Sequence, residues 1–455
     1  MPRPVPETLL IPVETLNREF DAKLLLALKA AGSGLKPIIG GRTRIHDNLL
    51  ALPPSIYLAK GIRTGNRLIM SILHRLGHVI VALDEEALIR MNDDALLLML
   101  DEETFNRPRL LYAWGRSNAE LWRRFKGYRG TPILETGNPR IDLLRPEVRR
   151  YYAEAADRLN QRFGRFVLFS SNFSMVNHFI PDHVRFRVAP DASGETADEL
   201  KGGITGHKQV LYQRFRTLVP RLAAAIAPAA LVIRPHPSEN AANWSKIAAG
   251  LGNVQVIHEG PIAPWLIAAG ALLHNGCTSA VEAAVLGTPA FSYRPTVNTA
   301  FDPLLPNALS IELSDDDDII EAIDTALKTN PGQPDLSAEQ LSLLHHNIAS
   351  VDGELAADRI LQSLAERRGE LAAGRPSAAG DRLIGQLRHV VRGATRRFTT
   401  RLAGKSSGAY TVHKFPGIGE AEVNARIARF RAVVPGLPAI EAKERLPSIF
   451  ELVPA

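Results

Sequence analysis

Short apolar runs alternate with longer stretches of helical periodicity along most of this chain. Residues 9–13 are apolar, residues 19–31 repeat apolar positions every three or four residues, and residues 37–39 are apolar again before Gly40 and Gly41. A brief apolar run bounded by turn formers suits a buried strand, and a 3.6-residue period suits an amphipathic helix. The predicted order is strand, helix, strand. The alternation continues with a strand at 55–59, a helix at 67–76 and a strand at 79–83 that runs into Asp84, Glu85 and Glu86. Strands at 110–114 and 132–136 follow, with a turn at Gly137, Asn138 and Pro139.

A helix at 151–163 and a strand at 166–169, ending in Ser170, Ser171 and Asn172, open a second series. Residues 176–206 mix charge, Pro and Gly with little periodicity and read as a long loop. Predicted helices at 207–226, 243–251, 264–269 and 279–286 then alternate with strands at 230–233, 254–257, 271–273 and 289–293. Such alternation builds parallel sheets covered by helices on both faces, so the expected class is α/β with two doubly wound units. The expected domains are 1–150, 151–350 and a helical, basic extension at 351–455. Within that extension Arg382, Arg388, Arg392, Arg396, Arg397, Arg401 and Lys405 occur with no acid among them. Leu383, Leu387, Val390, Val391, Ala394 and Phe398 recur there at helical spacing, which predicts an amphipathic basic helix suited to an anionic membrane surface.

Composition narrows the function classes. At 455 residues, 45% hydrophobic and 22% charged, the chain is long enough for two or three globular cores. A net charge of +6 is modest for this length and does not by itself argue for nucleic acid. Cys277 is the only cysteine, which excludes an intrachain disulfide and a cysteine-rich metal site. No apolar stretch reaches the eighteen or so residues of a membrane span, and the short, proline-flanked apolar core of the first fourteen residues is not expected to act as a signal peptide. A cytoplasmic protein is expected, without a metal or cofactor.

The candidate chemistry lies at predicted strand ends, where ligands bind in open α/β sheets. Arg234 and His236 alternate with Pro235 and Pro237 directly after a strand. The prolines fix the backbone, and a guanidinium fork and an imidazole N–H both suit a phosphate. Asn275, Gly276, Thr278 and Ser279 sit between the next-but-one strand and a helix start, where backbone N–H groups and hydroxyls suit an anion. Ser171 and Asn172 are candidate contacts to a ribose, base or sugar. In the first unit Glu85 and Glu86 are candidate acid–base groups, because adjacent carboxylates can push one pKa upward. Arg18, Asp21 and Arg42 are candidate acceptor contacts. Asp315 to Asp318, preceded by Ser314, needs no chemistry: acids favour a helix's first turn.

Several short stretches together resemble the surface carbohydrate biosynthesis proteins of bacterial capsule and O-antigen loci. They are 10–14 with 18–21, 84–86, 137–142, 172–174, 234–237 and 413–417. The resemblance covers nearly the whole chain and implies a GT-B fold, two Rossmann-like domains facing a central cleft. The acidic and His-Pro motifs also resemble those of transferases using CMP-activated sugars, such as Kdo and sialic acid transferases. That resemblance implies His236 on the nucleotide phosphate and Glu86 as the catalytic carboxylate, with Glu85 the alternative. Ala87 stands where the related motif has Gly, and the stereochemical course stays open. The implied function is a glycosyltransferase moving a sugar, such as Kdo or another CMP-linked acidic sugar, to a glycan or lipid-linked glycan at the inner membrane face. A UDP-sugar donor, a nucleotide-sugar epimerase of the same shape and a non-catalytic scaffold are the alternatives.

Overall fold

The computed structural model describes residues 5–180, 196–329, 336–372, 379–402 and 412–455. The chain divides into two compact units: residues 1–88, 93–151 and 345–455 form one, and residues 89–92 and 152–344 the other.

The first unit is built on a parallel sheet of β1 (Thr8–Val13), β2 (Lys36–Gly41), β3 (Ile56–Ala59), β4 (Val79–Leu83), β5 (Leu110–Ala113) and β6 (Ile133–Glu135). The order is β2-β1-β3-β4-β5-β6, so the chain reverses direction across the sheet between β1 and β3. A terminal hairpin, Ile440–Leu446 and Ile449–Pro454, extends the sheet by antiparallel pairing of its second strand with β2, Phe450 opposite Ile39. The extension at 351–455 is helical at Ala356–Glu366, Arg368–Ala372, Ala379–Leu402 and Glu420–Val433, and among the described residues this hairpin is the part of it that the expectation of a helical extension did not include. Its first strand carries Glu441, Lys443, Glu444 and Arg445, which mask the period-two burial of Ile440 and Ala442. Pairing across the edge, not the strand's own apolar pattern, makes it a strand.

The helix Leu16–Gly32 buries most of its surface, including Phe20, Leu24, Leu25 and Leu28. It needs cover on several sides, and the helices Pro139–Asp142, Ala356–Glu366 and Glu420–Val433 supply it. The 137–142 stretch is what ties the returning chain down. Both Asp142 carboxylate oxygens accept backbone N–H groups, from Ala356 at 2.8 Å and Ala357 at 2.9 Å, and so satisfy the start of the helix Ala356–Glu366. Burial pushes the Asp142 carboxyl up to about 7 against those two bonds. Arg145 donates to the carbonyls of Ser350 and Gly353. Gly137 has φ +81°, and a Cβ there would stand 2.1 Å from Ser350 Oγ.

The second unit is a six-stranded parallel sheet of β7 (Phe166–Ser170), β8 (Ala230–Arg234), β9 (Val254–Val256), β10 (Ala271–His274), β11 (Ala290–Tyr293) and β12 (Ile311–Leu313). The order β12-β11-β10-β7-β8-β9 places the reversal between β7 and β10. Its core stacks Phe169 on Phe215 with centroids 5.0 Å apart and sets Trp244 edge-on to Phe169 at 5.3 Å. Part of the segment read as a loop is helical: the helix Thr196–Ile226 starts ten residues before 206, broken at Gly203 with φ 55°. Glycines at 202 and 203 hid its periodicity, and 181–195 lies outside the described residues. Asp315, not Ser314, caps the helix Asp316–Thr329, accepting from the N–H of Asp317 at 2.7 Å.

Gly137→Ala should destabilise the first unit by about 1–3 kcal/mol, through positive-φ strain and the clash with Ser350. Urea unfolding of the two proteins checks it, and an unchanged midpoint would show that the turn can relax.

Candidate functional site

In the second unit the ends of β7 and β10 flank the reversal point, the place where a doubly wound sheet leaves a crevice. Asn172 and Asn275 bridge it reciprocally. The Asn172 N–H donates to Asn275 Oδ1 at 2.9 Å, and Asn275 Nδ2 donates to the Asn172 carbonyl at 3.0 Å. Gly276 follows with φ +81°, and a Cβ there would come within 2.7 Å of Pro303. His274 holds this turn: its Nδ1 accepts the Gly276 N–H at 3.0 Å and its Nε2 pairs with Ser310 Oγ at 2.9 Å. Burial lowers the His274 pKa to about 3, so the ring is neutral.

The helix Thr278–Leu286 starts at this turn, and its N-cap, Cys277, makes no side-chain cap bond. The Ser279 N–H faces the Cys277 sulfur and the Ala280 N–H donates to the Cys277 carbonyl at 3.2 Å, so what favours an anion here is the positive end of the helix dipole. Ser279 is buried with its hydroxyl 2.5 Å from the Cys277 sulfur, and Thr278 is half-buried. Lys208 lies close by and was missed by the sequence reading. It is 7% exposed, and its ammonium makes no hydrogen bond to the described residues. Burial depresses its pKa, while Asp302 and Cys277 act on it electrostatically. Asp302 itself is already satisfied by His207 at 2.7 Å, Arg294 at 2.9 Å and the Asn298 N–H at 2.9 Å. A buried cation beside a helix N-terminus is a stronger anion seat than either alone.

Glu239 is the second residue that sequence reasoning missed. Its buried carboxylate accepts from Ser171 Oγ at 2.8 Å, the Phe173 N–H at 2.9 Å, the His236 N–H at 3.2 Å, Asn177 Nδ2 at 3.2 Å and Trp244 Nε1 at 2.9 Å. One side chain thus fixes the loops after β7 and β8 together, and burial raises its pKa. Ser171 is turned inward onto this carboxylate. His236 is exposed, and its Nδ1 accepts the Ser238 N–H at 3.2 Å, which leaves the proton of a neutral ring on Nε2. Arg234 is directed elsewhere. Its two terminal nitrogens donate to the carbonyls of Glu259 at 2.6 Å and Gly260 at 2.7 Å, and its guanidinium stacks over Trp265. Those bonds make Arg234 the tie that holds the 259–260 turn.

In the first unit the reversal point between β1 and β3 carries a network of charges. Glu14, just past β1, is met by Lys60 at 2.6 Å, Arg42 at 2.6 Å and Lys414 at 2.9 Å. Burial opposes its ionisation, and these cations overcome it, holding the carboxyl well below the usual range. Lys414 belongs to the 413–417 stretch, whose Phe415 packs against Gly41. Arg42 also donates to Asn66 at 3.1 Å. Asp21 faces away from this edge, bonded to Arg426 at 2.7 Å and the Tyr151 hydroxyl at 3.1 Å.

The three adjacent acids after β4 have three different environments. The Glu85 side chain is 2% exposed, lying 3.4 Å from Lys23 Nζ and accepting from Asn138 Nδ2 at 3.2 Å. The Glu86 side chain is 44% exposed and pairs with Arg18 at 2.9 Å, and that guanidinium lowers its pKa. Asp84 is buried. Its Oδ1 accepts the Glu86 N–H at 3.0 Å, its Oδ2 has no hydrogen-bond partner, and Arg63 stands 4.0 Å away. Burial pushes the Asp84 carboxyl up to about 6. Among the described residues no three His, Cys, Asp or Glu side chains are grouped to hold a metal ion.

No protein-family model and no curated protein matches the sequence. Solved structures do match. The UDP-GlcNAc 2-epimerase of Methanocaldococcus jannaschii, in complex with UDP-GlcNAc and UDP, is 12% identical with a TM-score of 0.50, covering 79% of this chain and 99% of its own. A wall teichoic acid polymerase, TagF, soaked with CDPG, is 11% identical with a TM-score of 0.47 over 80% of this chain and 89% of its own. MnaA of S. aureus with UDP is 13% identical with a TM-score of 0.47 over 81% and 98%. The first of these shows the fold: α/β of the GT-B class, with two Rossmann-like units in succession.

Glu239→Gln should cost roughly 2–4 kcal/mol of stability, because the amide nitrogen faces at least two of the five donors whichever way it turns. Chemical denaturation measures it, and a loss below about 0.5 kcal/mol would mean that the loops do not depend on this carboxylate. A second outcome concerns pH. From about pH 4 to 6 folded Asp84 keeps a proton that the unfolded chain has released, so its contribution to stability falls as pH rises, by about 2–3 kcal/mol in all. Asp84→Asn should remove that slope, gaining on the unaltered chain between about pH 4 and 7. Parallel pH profiles for the two proteins would place the titration elsewhere.

Proposed function

We propose that this protein is a glycosyltransferase of bacterial surface-polysaccharide assembly, with the phosphate of a nucleotide-sugar donor bound in the second unit. The observation that carries the reading is the anion seat at the β7/β10 reversal point. There the helix start at Thr278 and Ser279 lies by the buried Lys208, whose neighbouring acid, Asp302, is already bonded to His207, Arg294 and the Asn298 N–H, and the reading adds His236 from the loop after β8. Arg234 is assigned a positioning role, since its nitrogens are already engaged. Asn172 and Asn275 present the crevice to the ribose or sugar.

In the first unit the reading assigns acceptor activation to Glu86. It is the one of the three acids that solvent reaches freely, and Arg18 keeps it ionised and oriented. An ionised carboxylate can take the acceptor hydroxyl's proton as that oxygen attacks the anomeric carbon. The nucleotide phosphate leaves with the bonding electrons, and its charge falls on the fixed donors of the second unit. Glu85 is committed to Lys23 and Asn138, so it holds the loop. The acidic and His-Pro motifs favour a CMP-linked acidic sugar such as Kdo, with a UDP-sugar as the rival, and a glycan or lipid-linked glycan as acceptor. The reading implies an enzyme that works on the cytoplasmic side of the membrane.

A nucleotide-sugar 2-epimerase is the second reading, supported by the fold shared with the M. jannaschii enzyme. A fold hosts more than one chemistry, so products decide. Incubation of the donor with and without a glycan acceptor separates the two: transfer needs the acceptor, and epimerisation does not. Thermal-shift measurements with CMP, CDP, UDP and GDP identify the nucleotide, because a ligand of the folded state raises the midpoint.

Lys208→Ala and His236→Ala should each weaken nucleotide binding about tenfold or more, the loss of one charge-assisted contact. Calorimetry checks this, and unchanged affinity in both would remove the seat. Glu86→Gln should leave that affinity nearly intact and lower turnover by at least about 100-fold. If Glu85→Gln were inactive while folded and Glu86→Gln active, the assignment within the motif would be reversed.

A further inference from the structure

The helix Ala379–Leu402 lies on the first unit along one face only. Gly385 approaches Arg75, where a Cβ would come within 2.9 Å of the Arg75 Cβ. Arg388 Nη1 donates to Ser71 Oγ at 3.0 Å, His389 Nε2 pairs with the His46 carbonyl at 2.9 Å, and Asp381 pairs with Arg75 at 2.5 Å. The seam is therefore made by small, polar and charged positions.

The apolar positions point the other way. Leu383 is 67% exposed and Leu387 64%, and Ile384, Val390 and Val391 are exposed as well. Positions 383, 387 and 390, with 384 and 391, repeat at helical spacing and form one stripe. Leu68, on the partner helix Arg67–Arg75, is also exposed. Arg382 and Arg388 flank the stripe and are exposed, Arg392 is half-buried on the side of the helix that faces the first unit, and no acid occurs from 382 to 405. None of the helices among the described residues is long and apolar enough to cross a membrane.

We infer that this face docks on an anionic lipid bilayer, with the helix lying in the headgroup plane and its aliphatic stripe in the acyl boundary. Charge selects this occupant. A second copy of the chain would set Arg382 and Arg388 against their own like charges, whereas anionic headgroups complement them. The inference does not depend on the donor site: vesicle binding is read without nucleotide, so its failure leaves the proposed chemistry untouched.

The test is flotation of the full chain with vesicles of phosphatidylglycerol and phosphatidylethanolamine, and with phosphatidylcholine alone. The protein should float with the anionic vesicles at low salt, be released at about 0.5 M salt where charges are screened, and stay unbound with the zwitterionic ones. Leu383→Glu with Leu387→Glu and Val390→Glu should lower anionic-vesicle binding at least about tenfold while nucleotide affinity is retained. Arg382→Glu with Arg388→Glu should weaken binding mainly at low salt, which keeps the test open if the triple variant misfolds. Undiminished flotation of a folded variant of either kind, equal binding to both vesicle types, or a concentration-dependent dimer abolished by the triple variant would overturn the inference.

Discussion

The interaction on which the first unit depends is the buried ammonium of Lys23. It donates to the Pro12 carbonyl at 2.8 Å and to Glu19 Oε2 at 2.8 Å, and it stands 3.4 Å from Glu85 Oε1. A charge taken out of water costs several kcal/mol unless partners surround it. Here one cation lies between two carboxylates, and Glu19 is further met by the Glu14 N–H at 3.0 Å and by Lys60 at 3.7 Å. Burial would lower the Lys23 pKa, and the two acids raise it instead. The end of β1, the helix Leu16–Gly32, the end of β3 and the acidic stretch after β4 therefore share one electrostatic centre. Removing Lys23 would leave Glu85 with only Asn138 and Glu19 with only Lys60 and the Glu14 N–H, so a residue buried beneath the surface organises this edge.

That centre explains how three neighbouring acids come to differ. Glu85 is drawn inward by Lys23 and Asn138, which forces Glu86 outward to Arg18 and leaves Asp84 folded back on the Glu86 N–H. Mutual repulsion is relieved by geometry, each carboxylate taking a different dielectric and a different counter-charge. Only Glu86 combines ionisation with access. Asn138 also links the acids to the 137–142 stretch, whose Asp142 begins the helix Ala356–Glu366. The returning chain and the acidic loop are thereby fixed by the same turn.

Much of the fold was legible because each buried strand and its covering helix carry their own apolar period. Strands β1 to β5, β7, β8, β10 and β11 fall within a residue or two of the expected runs, since burial on both faces leaves an unbroken apolar signature. The terminal hairpin escaped because its pattern is set by a partner strand about 400 residues away. The candidate site was legible where a polar group follows a strand end, as at His236, Asn275 and Glu86 after β8, β10 and β4. It was illegible where direction decides: nothing in Arg234-Pro235-His236-Pro237 says that the arginine turns inward to two carbonyls while the histidine stays at the surface. Lys208 and Glu239 were invisible for a related reason. Each lies mid-helix or in a polar turn, and only tertiary burial makes a lone Lys or Glu informative.

The two reversal points do opposite things with the same topology. At β1/β3 the crevice is lined by paired charges, and Glu14, Glu19, Asp84, Glu85 and Glu86 each have a cation within 4.0 Å. At β7/β10 the carboxylate that organises the loops, Glu239, spends all its acceptor capacity on neutral donors, while the cation, Lys208, is left without a hydrogen-bonded acceptor among the described residues. A low-dielectric site that holds unneutralised positive potential is stabilised by an arriving anion, and one whose charges are already matched is not. The two edges therefore differ in how their charges are matched: the first unit holds one exposed carboxylate, Glu86, against Arg18, and the second buries an ammonium, Lys208, on which Asp302 acts without a hydrogen bond among the described residues.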